Sequence, residues 1–381
     1  SACLDSDLSY AAKIDAIKSV TWKSYNVLVN SSDVVGTMRP FWKSTGFCPP
    51  EPHQDPGFFL GEDMQQNLIY IASIPGHGST QVRMHWLLDL INASASVAYN
   101  FSHLDVLLDR LLSLGLKPGF ELMGNPFPRP LNFELPEDLQ LWRNLVATLA
   151  SRYIGRYGED SVTQWNFESW NEPDSEGYGR NFTETGLCSY YDASADGLQQ
   201  ASPRLRFGGP AENLGSKKKA PLAWALLDHI DRSGTRLDFL SVHEKGVAST
   251  PDIVIREKEA LSRIRNRCPT LASKPCINDV PRRPLIPHSR STTLLNPAFF
   301  GVLGPGDAQL VDLHLREPDA CGDLSSDNGF LSYPPQPFSQ RTLLARFRMN
   351  ESEPHVVFVR KPIHAVTGLL GKLATRVLGA S

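Results

Sequence analysis

The chain has 381 residues, 41% of them apolar and 21% charged, with a formal net charge of −3. This balance excludes a polybasic nucleic-acid binder, and no apolar run reaches bilayer-spanning length. The length exceeds one ordinary domain but suits a barrel of alternating strands and helices with long loops.

Residues 1–26 show no clear period and are expected to be an unmatched tail standing where a signal peptide would be. A strand is expected over 27–35. The next begins in Arg39-Pro40-Phe41-Trp42-Lys43-Ser44-Thr45-Gly46-Phe47-Cys48-Pro49-Pro50 and is stopped by its prolines, with His53 in the following loop. Residues 68–74 are apolar and fit helix or strand. Gln81-Val82-Arg83-Met84-His85-Trp86 alternates, so Arg83 and His85 share a face. A helix is expected over 102–114, with Ser102 and Asp105 spaced as a capping box. A strand over 117–124 and a longer helix over 137–157 follow.

The run Gln164-Trp165-Asn166-Phe167-Glu168-Ser169-Trp170-Asn171-Glu172-Pro173-Asp174 starts as an alternating strand and stops at a proline. It sets Glu172 and Asn171 at a C-terminal strand end, where barrels carry their reactive groups. Glu168 is expected to be a structural residue pointing into the barrel, and Asp174 a turn or cap residue. Helices are expected over 186–201, 220–230 and 253–265. The strands between them are 204–208, 237–245 (ending in His243 and Lys245) and 274–279. Lys217-Lys218-Lys219 reads most simply as a solvated loop.

The alternation, with no Gly-rich phosphate fingerprint after any strand, points to the α/β class and a (β/α)8 TIM barrel. After Asp279 the rhythm breaks. Residues 280–326 hold many prolines, scattered arginines and no sustained stripe. A seventh helix and eighth strand belong there and are not recognisable, so the sequence leaves open whether the (β/α)8 barrel is complete. Strands over 341–348 and 356–360 and a last helix over 361–377 complete the reading.

Six cysteines show no CxxC pair, and their pairing stays open. Five Asn-x-Ser/Thr acceptors, at Asn30, Asn92, Asn100, Asn181 and Asn350, favour a secretory or lysosomal route. Chemically, Glu172 alone is half a site. Retaining glycosidases use two carboxylates about 5–5.5 Å apart, and inverting ones a wider pair. Arg83, His85, His243, Lys245 and Arg341 supply cations for an anionic substrate. Each also has a plainer reading: Arg83 and His85 as a polar layer in the barrel, His243 as a satisfied strand-end histidine, Glu172 as a solvated turn residue.

The stretches 41–50, 81–88, 119–124, 152–158, 165–174 and 327–341 resemble glycoside hydrolase family 39, in its α-L-iduronidase branch. The resemblance covers about 27–279 and 327–370. It implies a TIM barrel and a lysosomal enzyme that removes terminal iduronate from dermatan and heparan sulfate with retention of configuration. It implies no metal, no cofactor, and a glycosaminoglycan oligosaccharide as partner, together with N-glycans. Glu172 would be the acid/base and Asn171 would hold the sugar 2-hydroxyl. His53, Arg83, His85, Lys245, Asp327 and Arg341 would line the pocket. The family's nucleophile is a Glu directly after Asn-Asp, yet Asn278-Asp279 is followed by Val280. We therefore expect 27–381 to be a catalytic barrel domain with an aberrant 280–326, from a shifted frame or misjoined exons, and with activity lost. The family's C-terminal β-sandwich and fibronectin-like domains are expected to be absent, leaving the strand near Val27 without a partner. A β-xylosidase-like enzyme and a non-catalytic or misfolded product are the alternatives.

Overall fold

The computed structural model describes residues 28–47, 56–93, 98–178, 181–215, 218–246, 249–279, 310, 313–317, 319–326, 329–331, 342–349, 355–373 and 376–380. His53, Val280, Asp327, Arg341 and Asn350 lie outside them. The chain forms two compact units, residues 1–39 with 374–381, and residues 40–373.

In the first unit, β1 (Val29–Thr37) pairs antiparallel with a strand at the other end of the chain, Arg376–Ala380. This corrects two expectations. The last helix runs only over Pro362–Gly371, and the N-terminal strand has a partner. Arg376-Val377-Leu378-Gly379-Ala380 is too short for another helical turn to repay its ordering, and extended pairing satisfies its backbone instead.

The second unit is a closed parallel barrel. Its strands, in chain order, are β2 (Ser44–Phe47), β3 (Gln81–Met84), β6 (Lys117–Glu121), β7 (Asn166–Glu168), β8 (Arg206–Glu212), β9 (Phe239–Val242), β10 (Cys276–Asn278) and β11 (Asp323–Ser326). β4 (Asn92–Ala93) and β5 (Tyr99–Asn100) form a small antiparallel pair outside it, as do β12 (Leu344–Met349) and β13 (His355–Arg360). The eighth strand, not recognisable in the sequence, is β11. It pairs with β10 through Ile277↔Asp323 and with β2 through Ser325↔Ser44.

The barrel is thus complete despite the unpatterned stretch. Asp323-Leu324-Ser325-Ser326 escapes a hydrophobic-pattern reading because hydroxyls help to seat it. Ser44 Oγ donates to Ser325 Oγ at 2.8 Å, and Thr45 Oγ1 donates to the Ser326 carbonyl at 3.0 Å. Residues 313–316 just before it are helical. His314 Nε2 meets the buried Glu257 at 2.8 Å, and Cys321 is disulfide-bonded to Cys276.

Outer helices bury one face each against the strands. Leu104, Leu107, Leu108 and Leu111 form the stripe of Ser102–Ser113, and Trp142, Val146, Leu149 and Tyr153 that of Pro136–Tyr157. The expected capping box at Ser102 is not formed. Asn100 Oδ1 accepts from the Ser102 backbone N–H at 2.9 Å and from its hydroxyl at 2.6 Å. Asp105 instead accepts from Arg152 Nε at 2.9 Å and from the Tyr153 hydroxyl at 3.2 Å, tying two helices together. A charge-assisted bond to a neighbouring helix outcompetes a reach back to a local N–H.

Candidate active site

The site is built from strand ends on one face of the barrel. β3 turns Arg83 inward, where its side chain is 2% exposed. The facing residue on β6 is Gly119, and a Cβ there would lie 3.1 Å from Arg83 Cβ. Buried this deeply, the guanidinium needs a partner for each donor. Nε donates to Glu168 at 2.6 Å, Nη1 lies 3.0 Å from Glu121, and Nη2 donates to Asn171 Oδ1 at 3.0 Å. Glu121 also meets His85 Nδ1 at 2.5 Å. Arg83 and His85 are therefore a polar layer, as the plainer reading had it, and that layer fixes Asn171 beside Glu172.

Glu172 lies just past β7, with φ +41°. Its backbone N–H donates to the Ala211 carbonyl at 2.9 Å, and the His243 N–H donates to the Glu212 carbonyl at 3.0 Å. The end of β8 thus spaces the two residues. Glu172 Oε1 accepts from His243 Nδ1 and from Lys245 Nζ, both at 2.8 Å. Burial works against its ionisation. The His243 hydrogen bond and the Lys245 ammonium outweigh it and hold the carboxyl well below the usual range. Burial lowers His243 to about 4. The neutral ring then donates from Nδ1 to Glu172 and offers Nε2, 3.4 Å away, to Arg83 Nη2. Its two neighbours fix the tautomer.

Two further carboxyls complete the electrostatics. Glu212 is pushed up to about 7, first by burial and then by the charge of Glu172. Asp279, at the end of β10, sits 3.8 Å from Arg83 Nε. Burial and the neighbouring Glu168 raise it well above the usual range, while Arg83 keeps Glu168 ionised. Asp279 is therefore a neutral acid facing the interior, not a solvated carboxylate.

Aromatic rings pack beside His85. Trp86 packs edge-on against Trp170, with centroids 5.9 Å apart, and stacks on Tyr178 at 6.4 Å; Tyr178 also lies 5.2 Å from His85. Asp174, expected to be a cap, accepts from the backbone N–H groups of Leu222 and Ala223 at 2.9 and 3.0 Å.

The structure therefore brings together Arg83, His85, Asn171, Glu172 and Lys245 of the expected set, with His243 and Glu168. Glu121 and Glu212 were missed. Glu121 carries the signal that singled out Glu172, a carboxylate closing a strand. Glu212 was lost because β8 runs four residues beyond the expected end at 208. Among the described residues no cluster of three or more His, Cys, Asp or Glu is placed to hold a metal ion, and no helix is long and apolar enough to cross a membrane.

Comparison with known proteins places this geometry in context. The family model of the glycosyl hydrolases family 39 matches residues 25–381. The chain is 41% identical over 392 residues to the α-L-iduronidase of Canis lupus familiaris, covering 97% of this chain and 59% of that protein. It is 40% identical to the human α-L-iduronidase, covering 93% and 57%. It thus spans less than two thirds of the length of these relatives. A β-xylosidase of Caldicellulosiruptor saccharolyticus is 28% identical over 58% of the chain. Among solved structures, a bacterial orthologue of human α-L-iduronidase superposes with a TM-score of 0.79 at 31% identity, covering 93% of this chain and 60% of that one.

Proposed function

The chain belongs to the glycosyl hydrolases family 39, and on that premise we propose that it carries the acid/base half of a retaining site for terminal α-L-iduronic acid. Glu172 is the acid/base, Asn171 holds the sugar 2-hydroxyl, and Lys245 meets the substrate carboxylate. His53, Asp327 and Arg341 join them from outside the described residues. The observation that carries this reading is Glu172 clamped between His243 and Lys245 in front of a filled cation–carboxylate layer. A neutral pentose gives Lys245 nothing to bind, which disfavours a β-xylosidase.

The geometry also supplies a way to arm the acid. Without substrate, Glu172 is held ionised, which is the wrong form for protonating a leaving group. An iduronate carboxylate would draw Lys245 away and place a second negative charge nearby. Both changes raise the proton affinity of Glu172. His243, neutral, keeps the carboxyl aimed while its proton moves to the glycosidic oxygen.

We propose further that Val280 leaves this chain without its nucleophile. Asp279 does not replace it, being buried, neutral and turned to Arg83. We read the stretch 280–326 as the product of a shifted frame or misjoined exons. Translating the coding DNA of that stretch in the other two frames tests this; a Glu after Asn278-Asp279 in neither frame would sink it. The substrates proposed are dermatan and heparan sulfate chains, in a lysosome reached by the secretory pathway. Asn30, Asn92, Asn100 and Asn181 are exposed and open to glycan addition.

Two measurements on purified protein test the site. Iduronic acid is expected to raise the melting temperature and xylose to leave it unchanged; the reverse preference would overturn the substrate reading. A fluorogenic iduronide is expected to turn over at background. Substantial release abolished by Glu172→Gln would overturn the missing nucleophile.

A further inference from the structure

We infer that the loop after β8 and the helix after β9 form a second, cation-lined subsite that takes a sulfate group of the same oligosaccharide beyond its terminal sugar. This inference rests on the iduronide reading above.

A cavity of about 190 Å³ lies there, lined by Gly215, Lys219, Glu244, Arg256, Glu259 and Arg263. Its position follows from the chain. His243 and Lys245 turn toward Glu172, and Glu244 between them lines the cavity on the other side. One rim segment therefore separates it from the acid/base.

Glu244 is already engaged. It accepts from the Leu214 N–H at 3.1 Å and from Asn213 Nδ2 at 3.3 Å, and it lies 3.4 Å from Arg256 Nε. Arg263 reaches the Leu214 carbonyl at 3.2 Å and Glu259 at 2.9 Å. Leu214 is held by Glu244 and Leu222 by Asp174, on either side of Lys218 and Lys219 in the chain.

Lys218 and Lys219 are exposed, and among the described residues neither is in an ion pair. Three cations, Lys219, Arg256 and Arg263, thus line the cavity with two carboxylates that both have donors, and the exposed Lys218 is the chain neighbour of Lys219. This surplus suits a sulfate ester, a fixed anion with oxygen acceptors. It also gives the lysine run a role beyond solvation.

The test uses the full chain and calorimetric titration of two ligands: a dermatan sulfate tetrasaccharide ending in iduronate, and its chemically desulfated form. The variant is Lys218→Ala with Lys219→Ala, both exposed and remote from the core, with unchanged melting temperature as the folding control. The native chain is expected to bind the sulfated ligand about tenfold more tightly, with a steeper salt dependence. The variant should bind both ligands alike, at the desulfated affinity. A variant that keeps the tenfold preference, or a native chain without one, overturns the subsite. If the desulfated ligand fails to bind while sulfated binding still depends on the lysines, the subsite stands and the iduronate reading falls. If neither ligand binds, both fall.

Discussion

The two sides of the barrel interior are finished to different degrees. On the side of β3, β6, β7 and β9, every charged group has a counterpart: Arg83 with Glu121 and Glu168, and Glu172 with His243 and Lys245. On the side of β10 and β11, the inward carboxyl is Asp279, raised into its neutral form by burial and Glu168. The first side holds Glu172 ionised between His243 and Lys245. The second is held together by hydroxyls, a disulfide and the His314–Glu257 pair, all structural. The contrast teaches that closing a barrel and completing a site are separate demands. Four residues with one large apolar side chain close the barrel, whereas the chemistry depends on one carboxylate at one position.

The contrast breaks most sharply if a carboxylate is supplied at position 280. Val280→Glu is expected to raise iduronide hydrolysis by about 10³-fold or more, measured with a fluorogenic substrate, because removing a nucleophile costs at least that much in comparable enzymes. No rise above background would sink the half-site account. A middling effect is expected from the structural side. Replacing Cys276 and Cys321 by Ala opens a link across 45 residues of sequence and should cost about 2–4 kcal/mol in denaturant unfolding. An unchanged midpoint would mean that the pairs around Glu257 suffice to hold β11.

The smallest effect sharpens the proton inventory. Folded Glu212 titrates near 7, above its unfolded value near 4.5, so between those values the folded state binds the extra proton. Stability must then fall as pH rises through that window. Glu172 has the opposite sign: its depressed carboxyl adds stability above its unfolded pKa, and that stability is lost as pH falls through its folded value. Glu212→Gln should remove the decline between pH 5 and 7, on the order of 2 kcal/mol, in melts across that range. An identical slope in the variant would show that Glu212 is ionised in the fold.

Much of this was legible in the sequence, and the failures have physical causes. Trp165 to Asp174 announced a strand end with a carboxylate, because alternation followed by Pro173 leaves few other readings. Arg83 and His85 were placed on one face by the same period. β11 was invisible because hydroxyl pairing leaves no hydrophobic signature. Glu212 was lost because Gly208-Gly209-Pro210 reads as the end of a strand, whereas β8 runs on to Glu212. Asn100 displaced Ser102 as the capping side chain because Asp105 found a stronger partner in Arg152. The charge state of Asp279 could not be read at all, since it depends on Glu168 and Arg83 from distant parts of the chain.

The seam between β2 and β11 also sets a schedule. β2 is the first barrel strand to be synthesised and β11 the last, and they pair in the register Ser325↔Ser44 and Ser326↔Thr45. At roughly 5–20 residues per second, a ribosome keeps the first strand waiting for tens of seconds before its neighbour exists. Throughout that interval the nascent sheet carries two open edges. The hydroxyl-rich seam is therefore also a mild edge to leave unattended, one that water can satisfy until the barrel shuts.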